Sequence, residues 1–324
     1  MLIDARGRRI DYLRVSVTDR CNLRCVYCLP YEGVELKDHV DILSYEELER
    51  VIEVAVSMGI RTVRVTGGEP LVRKGIVGFL ERISRLEGLR DLALTTNGQL
   101  LAAMAQDLKA AGVRRVNVSL DTLRPERYRE VTRGGRLDRV LAGIEEALRV
   151  GLDPVKINVV VARGLNEDEI GDFIELARER PVHVRFIELM PLGEAERWGQ
   201  DRHVTLAPVM EEIAASGEYE VARPTGSGPA RYWRTAGGRG TIGFITALSR
   251  HFCGECNRLR LTAEGQLHPC LAAQTSVDLR AILRGGGNRE ELVAAFRRAV
   301  VLKPGGHDMS DGGKELRLMS RIGG

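Results

Sequence analysis

"DYLRVSVTDRCNLRCVYC", residues 11–28, decides how the rest of the chain is read. Its first eight residues are rich in β-branched side chains and read as a strand. Cys21, Cys25 and Cys28 follow with the spacing C-x3-C-x2-C, and no fourth cysteine appears until Cys253. A zinc site normally recruits four ligands in paired C-x2-C units. An iron–sulfur cluster is held by thiolates, usually four. With only three, one iron keeps an open position at which a small molecule can bind.

Outward from this stretch, the chain repeats a strand–helix alternation. Strands are expected at 11–18, 61–66, 91–96, 114–120, 154–161 and 182–189, with helices at 44–59, 76–87, 100–111, 137–151 and 167–180. Ser44 and Glu47 form a capping box at the start of the first helix. Short βα loops imply parallel strands with right-handed crossovers. Six units are too few for an eight-stranded barrel. The expected fold is α/β: a partial (βα)6 TIM-like barrel over 1–195, with a C-terminal α+β region over 196–324 closing the open side. Such barrels carry their chemistry at the C-terminal ends of the strands. Here those ends hold 18–28, 67–70, 95–98, 119–121 and 188–191, while Lys156 and Asn158 lie within the fifth strand.

"HFCGECNRLRLTAEGQLHPC", residues 251–270, supplies the other three cysteines, Cys253, Cys256 and Cys270. "RLRLT" alternates with period two, so Arg258 and Arg260 share one face and Leu259 and Leu261 the other. A hairpin turn at 263–265 pairs 258 with 270 and returns Cys270 beside Cys256. Spacing alone leaves two readings open. His251 or His268 completes a structural Cys3His zinc site, or the two arginines mark an anionic ligand at an open coordination position. Two helices are expected after the hairpin, near 276–284 and 288–301.

The bulk numbers exclude several classes. Net charge is +3 and aromatic content 5%, which argues against a nucleic-acid-binding surface with a stacking platform. The charged N-terminus lacks a signal-peptide core, and no run reaches the ~18 apolar residues of a membrane helix. The expected setting is cytoplasmic, where clustered cysteines mean metal or redox chemistry rather than disulfides. Forty-two of the 48 basic residues are Arg, a bias that suits phosphate recognition but also follows from genome composition or thermal adaptation.

The first cysteine triad and "TGGEP" at 66–70 resemble the signatures of the radical S-adenosylmethionine (SAM) superfamily. Both triads together, "FCGECNRLRLT" at 252–262 and the terminal "RLMSRIGG" resemble, over essentially the whole chain, the GTP 3′,8-cyclase family of molybdenum cofactor biosynthesis. The resemblance implies two [4Fe–4S] clusters, one on Cys21, Cys25 and Cys28 and one on Cys253, Cys256 and Cys270. The first would bind and cleave SAM to a 5′-deoxyadenosyl radical; the second would hold GTP at its open iron. The radical would take hydrogen from ribose C3′, and C3′ would then bond to guanine C8. Tyr27, Gly68, Ser119 and Met190 match SAM contacts. Arg14, Arg64, Thr95, Lys156, Arg258, Leu259 and Arg260 match GTP contacts. Gly323 and Gly324 match a tail that reaches the active site; alone, a terminal Gly-Gly is usually frayed. The resemblance also implies an electron donor and a downstream cyclic pyranopterin monophosphate synthase, and leaves a homodimer open. The competing readings are a radical peptide-modifying enzyme, disfavoured because two triads use all six cysteines, and a zinc-bearing RNA-binding protein.

Overall fold

In the computed structural model, residues 1–216, 218–224, 228–235 and 237–306 are described. A two-stranded ribbon, β1 (Leu2–Ile3) and β2 (Arg9–Ile10), precedes the alternation. There follow β3 (Tyr12–Ser16), α1 (Tyr45–Ser57), β4 (Thr62–Thr66), α2 (Ile76–Ser84), β5 (Asp91–Thr96) and α3 (Leu101–Ala110). Next come β6 (Arg115–Ser119), α4 (Pro125–Thr132), α5 (Leu137–Arg149), β7 (Val155–Val161), α6 (Ile170–Glu179) and β8 (His183–Glu188). Each expected strand is present. The capping box on α1 forms in both directions, with Glu47 N donating to Ser44 Oγ at 3.2 Å and Ser44 N donating to Glu47 Oε2 at 2.7 Å. Helix α4 has no counterpart in the sequence reading. Its "PERYREVT" is mostly polar, and Tyr128 and Val131 alone give too short an apolar stripe to show a period.

The six strands β3 to β8 pair in parallel and in chain order. The C-terminal region supplies α7 (Ala207–Ala215), β9 (Tyr219–Ala222), β10 (Arg231–Thr235), β11 (Thr241–Ile245), β12 (Arg258–Leu261), β13 (Gln266–His268), β14 (Val277–Asp278), α8 (Leu279–Arg284) and α9 (Arg289–Val301). Here the architecture goes beyond the sequence reading. Rather than only covering a gap, this region lengthens the parallel run at both edges: β12 pairs with β3 and β11 with β8. Antiparallel β13 and β14 continue one side, and β10 and β9 the other, giving a twelve-stranded sheet with edges β14 and β9. Strands from either side of residue 195 thus share one sheet. The hairpin register is as spacing predicts, with Arg260 opposite His268 and Leu261 opposite Leu267.

Period-two alternation sorts the strand residues into two faces. Leu13, Val15, Val63, Val65, Leu92, Leu94, Val116, Val118, Ile157 and Val159 join one apolar core with helix residues such as Val51, Phe79 and Ile144. The alternate positions are polar yet buried: Arg14, Arg64, Asn117, Lys156, Arg185 and Arg260. Burying that many polar groups costs free energy unless partners or a ligand satisfy them. The apolar face therefore holds the fold together, and the polar face forms the site. Among the described residues, no helix is long and apolar enough to cross a membrane.

Candidate functional site

All six cysteines line one cavity, together with Arg14, Arg64, Arg185, Arg258 and Arg260. Strand register separates the two triads. Cys21 follows the C-terminal end of β3, whereas Cys256 precedes β12, whose Arg258 is level with Tyr12 at the start of β3. Between the level of Cys256 and the end of β3 the sheet rises ~20 Å, at about 3.3 Å per residue. The triads thus bound the cavity from opposite ends of neighbouring strands.

The first triad sits on a tight loop, where Cys28 N donates to Cys25 O at 2.9 Å and Leu29 N to the same oxygen at 3.1 Å. Val26 N donates to Val131 O at 2.9 Å, so the helix that sequence reading missed seats this loop. Cys21 Sγ accepts from Leu23 N at 3.4 Å. Close by, the Tyr27 hydroxyl donates to Asp121 Oδ2 at 2.6 Å, and Val160 N donates to Asp121 Oδ1 at 2.9 Å. Burial pushes the Cys21 thiol up to about 11 and, with Cys28 and Asp121 nearby, the Cys25 thiol well above its usual value. Such thiols become thiolates when a metal supplies positive charge.

The second triad differs electrostatically. Cys253 and Cys256 flank a single turn, with Cys256 N donating to Cys253 O at 3.2 Å. Burial works to raise the Cys256 thiol, but the charges of Arg258 and Lys303 outweigh it and bring the group down to about 7. Among the described residues, no three Cys, His, Asp or Glu side chains converge on one metal ion. Three thiols with one corner left open are a ligand set that an iron–sulfur cluster can use.

Arginines fill the space between. Arg260, Arg14 and Arg64 are direct register neighbours across β12, β3 and β4. Burial lowers Arg64 to about 9, with Arg115, Arg185 and Arg258 adding to the effect against Tyr12. Burial and Arg258 together lower Arg260 to about 10. The Nε atoms of Arg64 and Arg185 are buried without a hydrogen-bond partner. A cavity lined by such cations is built for an anion.

Tyr27, Gly68, Ser119 and Met190, the expected SAM contacts, all line the cavity. So do Arg14, Arg64, Thr95, Arg258 and Arg260 of the expected GTP contacts. Two expected contacts do not. Leu259 points to the opposite face and is fully buried in the apolar core, so any ligand contact it makes runs through its backbone. Lys156 lies on the polar face outside the lining, with its Nζ 5.6 Å from the Tyr232 ring centroid. Burial, then Arg185, Arg115 and Arg64, lower it to about 6. Gly323 and Gly324 lie outside the described residues. Arg185 was missed by sequence reading, although alternation in "VHVRFIEL" places it on the same face as His183.

The comparisons agree with this geometry. The Radical SAM superfamily matches residues 15–177, and Molybdenum Cofactor Synthesis C matches 182–309. The chain is 56% identical to a GTP 3′,8-cyclase of Heliobacterium modesticaldum over 100% of both chains. It is 53% identical to the one of Pelotomaculum thermopropionicum, covering 99% of each. The chain belongs to the GTP 3′,8-cyclase family. It is a radical SAM enzyme of molybdenum cofactor synthesis, and membership implies a [4Fe–4S] cluster and SAM, which the three cavity-lining thiols after β3 fit. The fold is also that of Streptococcus suis SuiB bound to S-adenosylmethionine, with a TM-score of 0.56 at 18% identity, over 89% of this chain and 68% of that one.

Proposed function

We propose that this member of the GTP 3′,8-cyclase family converts GTP to 3′,8-cyclo-7,8-dihydro-GTP, using one [4Fe–4S] cluster on each triad. The observation that carries the reading is the single cavity bounded by both triads and lined between them by five arginines. When bound, the first cluster and SAM supply a carbon radical able to take hydrogen from ribose C3′. The chain's own residues bind, orient and shield. Tyr27, Gly68, Ser119 and Met190 surround the SAM position. Arg14, Arg64, Arg258 and Arg260, joined by Arg185, neutralise the triphosphate, with Thr95 as a polar contact and Leu259 contributing its backbone. Lys156 lies beneath the lining, pushed towards its neutral form by burial and the arginines, and takes up a proton when the triphosphate supplies compensating charge. Fixing the nucleotide with C3′ towards the first triad and the base at the second turns a two-body encounter into an oriented one.

In this reading 1–195 carry the SAM machinery, and 196–324 carry the second cluster together with Arg258, Leu259 and Arg260. On the same reading the terminal Gly323 and Gly324, which lie outside the described residues, promote hydrogen abstraction. An external electron donor serves the first cluster, and the product passes to a cyclic pyranopterin monophosphate synthase. The test is anaerobic incubation of the reconstituted protein with reductant, SAM and each nucleoside triphosphate in turn. GTP deuterated at C3′ should yield deuterated 5′-deoxyadenosine, and the other nucleotides none. Hydrogen abstraction that is indifferent to the nucleotide would sink the reading. Deleting Gly323 and Gly324 should suppress abstraction while iron content stays unchanged; full turnover would remove the tail from the mechanism.

A further inference from the structure

Lys303 follows the Leu302 cap of α9 and is 8% exposed. Its ammonium donates in three directions: to Arg258 O at 2.7 Å, to Pro269 O at 2.8 Å and to Cys256 Sγ at 3.5 Å. An ammonium has three N–H groups, and each has an acceptor here. The three acceptors sit at the open end of the hairpin that carries the second triad: Cys256 just before β12, Arg258 at its start, and Pro269 between the end of β13 and Cys270. Arg8 completes the arrangement from the N-terminus. Its Nη1 donates to Cys253 O at 2.6 Å and its Nη2 to Pro304 O at 2.7 Å. Asp4 holds this guanidinium through Nε at 2.5 Å. All three cysteines of the triad are thus tied, through sulfur or neighbouring carbonyls, to the 303–304 segment.

Two carbonyl contacts would be enough to staple a helix end to a hairpin. The contact to sulfur does something different. A cation and an N–H group facing a cluster thiolate stabilise the more negative, reduced state more than the oxidised one. We infer that Lys303 is a positioning residue for the second triad, fixing the spacing of its cysteines and raising the reduction potential of the cluster held there. This rests on the reading that the second triad holds a cluster. Cys21 Sγ of the first triad, by contrast, accepts from amide donors, Leu23 N at 3.4 Å and Asn97 Nδ2 at 3.8 Å.

The test uses the full chain with C21A, C25A and C28A, which leaves only the second triad. Iron and sulfide per chain, and the midpoint potential from spectroscopic titration, are compared with and without K303M. Methionine keeps the length and removes the N–H groups. The expected result is a more negative potential in K303M, with a partial loss of iron. As a measurement independent of folding in the variant, the parent chain labelled with 15N at the lysine side chains should show nitrogen hyperfine coupling to the reduced second cluster. Unchanged iron and potential in K303M, or no such coupling in the parent, overturns the inference. A triple-alanine chain that holds no cluster overturns the reading beneath it, and the inference with it.

Discussion

Arg14 and Arg64 are register partners on adjacent parallel strands, and both side chains line the cavity between the two cysteine triads. Like charges placed directly opposite on a sheet repel and destabilise it. Burial makes this worse, and both guanidiniums are held below their usual range, by burial first. Such an arrangement is maintained for a ligand rather than for the fold. In the ligand-free chain, R64M should therefore be at least as stable as the parent, by up to ~1 kcal/mol, or roughly 2–4 °C in midpoint. GTP affinity should fall about tenfold to a hundredfold, the cost of one charge-assisted contact. Thermal melts and calorimetric titration check both. A less stable variant with unchanged affinity would contradict the argument.

Leu259 stands between two cavity arginines in sequence but on the other face of β12. Its side chain packs in the main apolar core. L259A should cost about 2–5 kcal/mol of stability by leaving a void. The folded fraction should still bind GTP within a factor of a few, because a backbone contact survives the truncation. Denaturant unfolding and a binding isotherm corrected for folded fraction separate the two effects. A large affinity loss in fully folded protein would put the side chain itself against the ligand.

How far the sequence could be read follows from what each feature depends on. The strands β3 to β8 were legible because their apolar alternation is local. The six cysteines were legible because their spacing is. The hairpin register of β12 and β13 followed from counting alone. The pairing of β12 with β3 and β11 with β8 was not legible, because it joins residues far apart in sequence and no local pattern encodes a partner. Arg185 was within reach, since alternation assigns its face, but no neighbouring motif draws attention to it. Lys303 was out of reach: its three acceptors lie 34 to 47 residues earlier in the chain and only the fold assembles them.

Glu69, in "TGGEP", is buried and accepts from Leu71 N at 3.1 Å, Thr96 Oγ1 at 2.8 Å and Asn97 N at 2.7 Å. Burial outweighs these donors and pushes its carboxyl up to about 7 from 4.5. The folded state then binds a proton that the unfolded state releases at lower pH. Its contribution to stability is fully present below about pH 4.5 and is lost as pH rises through about 7. Ligand-free protein should accordingly weaken between those limits. E69Q should flatten that part of the profile at a cost in absolute stability, since its amide would face the Asn97 N–H. Chemical denaturation at a series of pH values reads this directly, and a profile that E69Q leaves unaltered would remove Glu69 as its source.

Gly68 holds the last prediction, because it is where the β4 loop and the first cysteine loop touch. Glu69 N donates to Arg20 O at 2.8 Å and Gly68 N to Thr18 O at 2.7 Å, so the two backbones run side by side. A β-carbon on Gly68 would overlap the Arg20 carbonyl and lie 2.9 Å from Asp19 O. Those neighbours are backbone, so they cannot rotate away as a side chain would. The strain has to be relieved by displacing the loop that leads into Cys21. G68A should therefore lose SAM affinity and iron from the first triad, while the second triad, on the far end of β12, keeps its own. Iron per chain should fall by about half, and the remaining signal should still respond to GTP, because in the proposed reading three cysteines hold each cluster independently. Separate spectra of the two clusters decide the matter. Equal losses from both triads would mean that the β4 loop supports the whole sheet, and full retention of both would mean that the cysteine loop yields more easily than its hydrogen bonds imply.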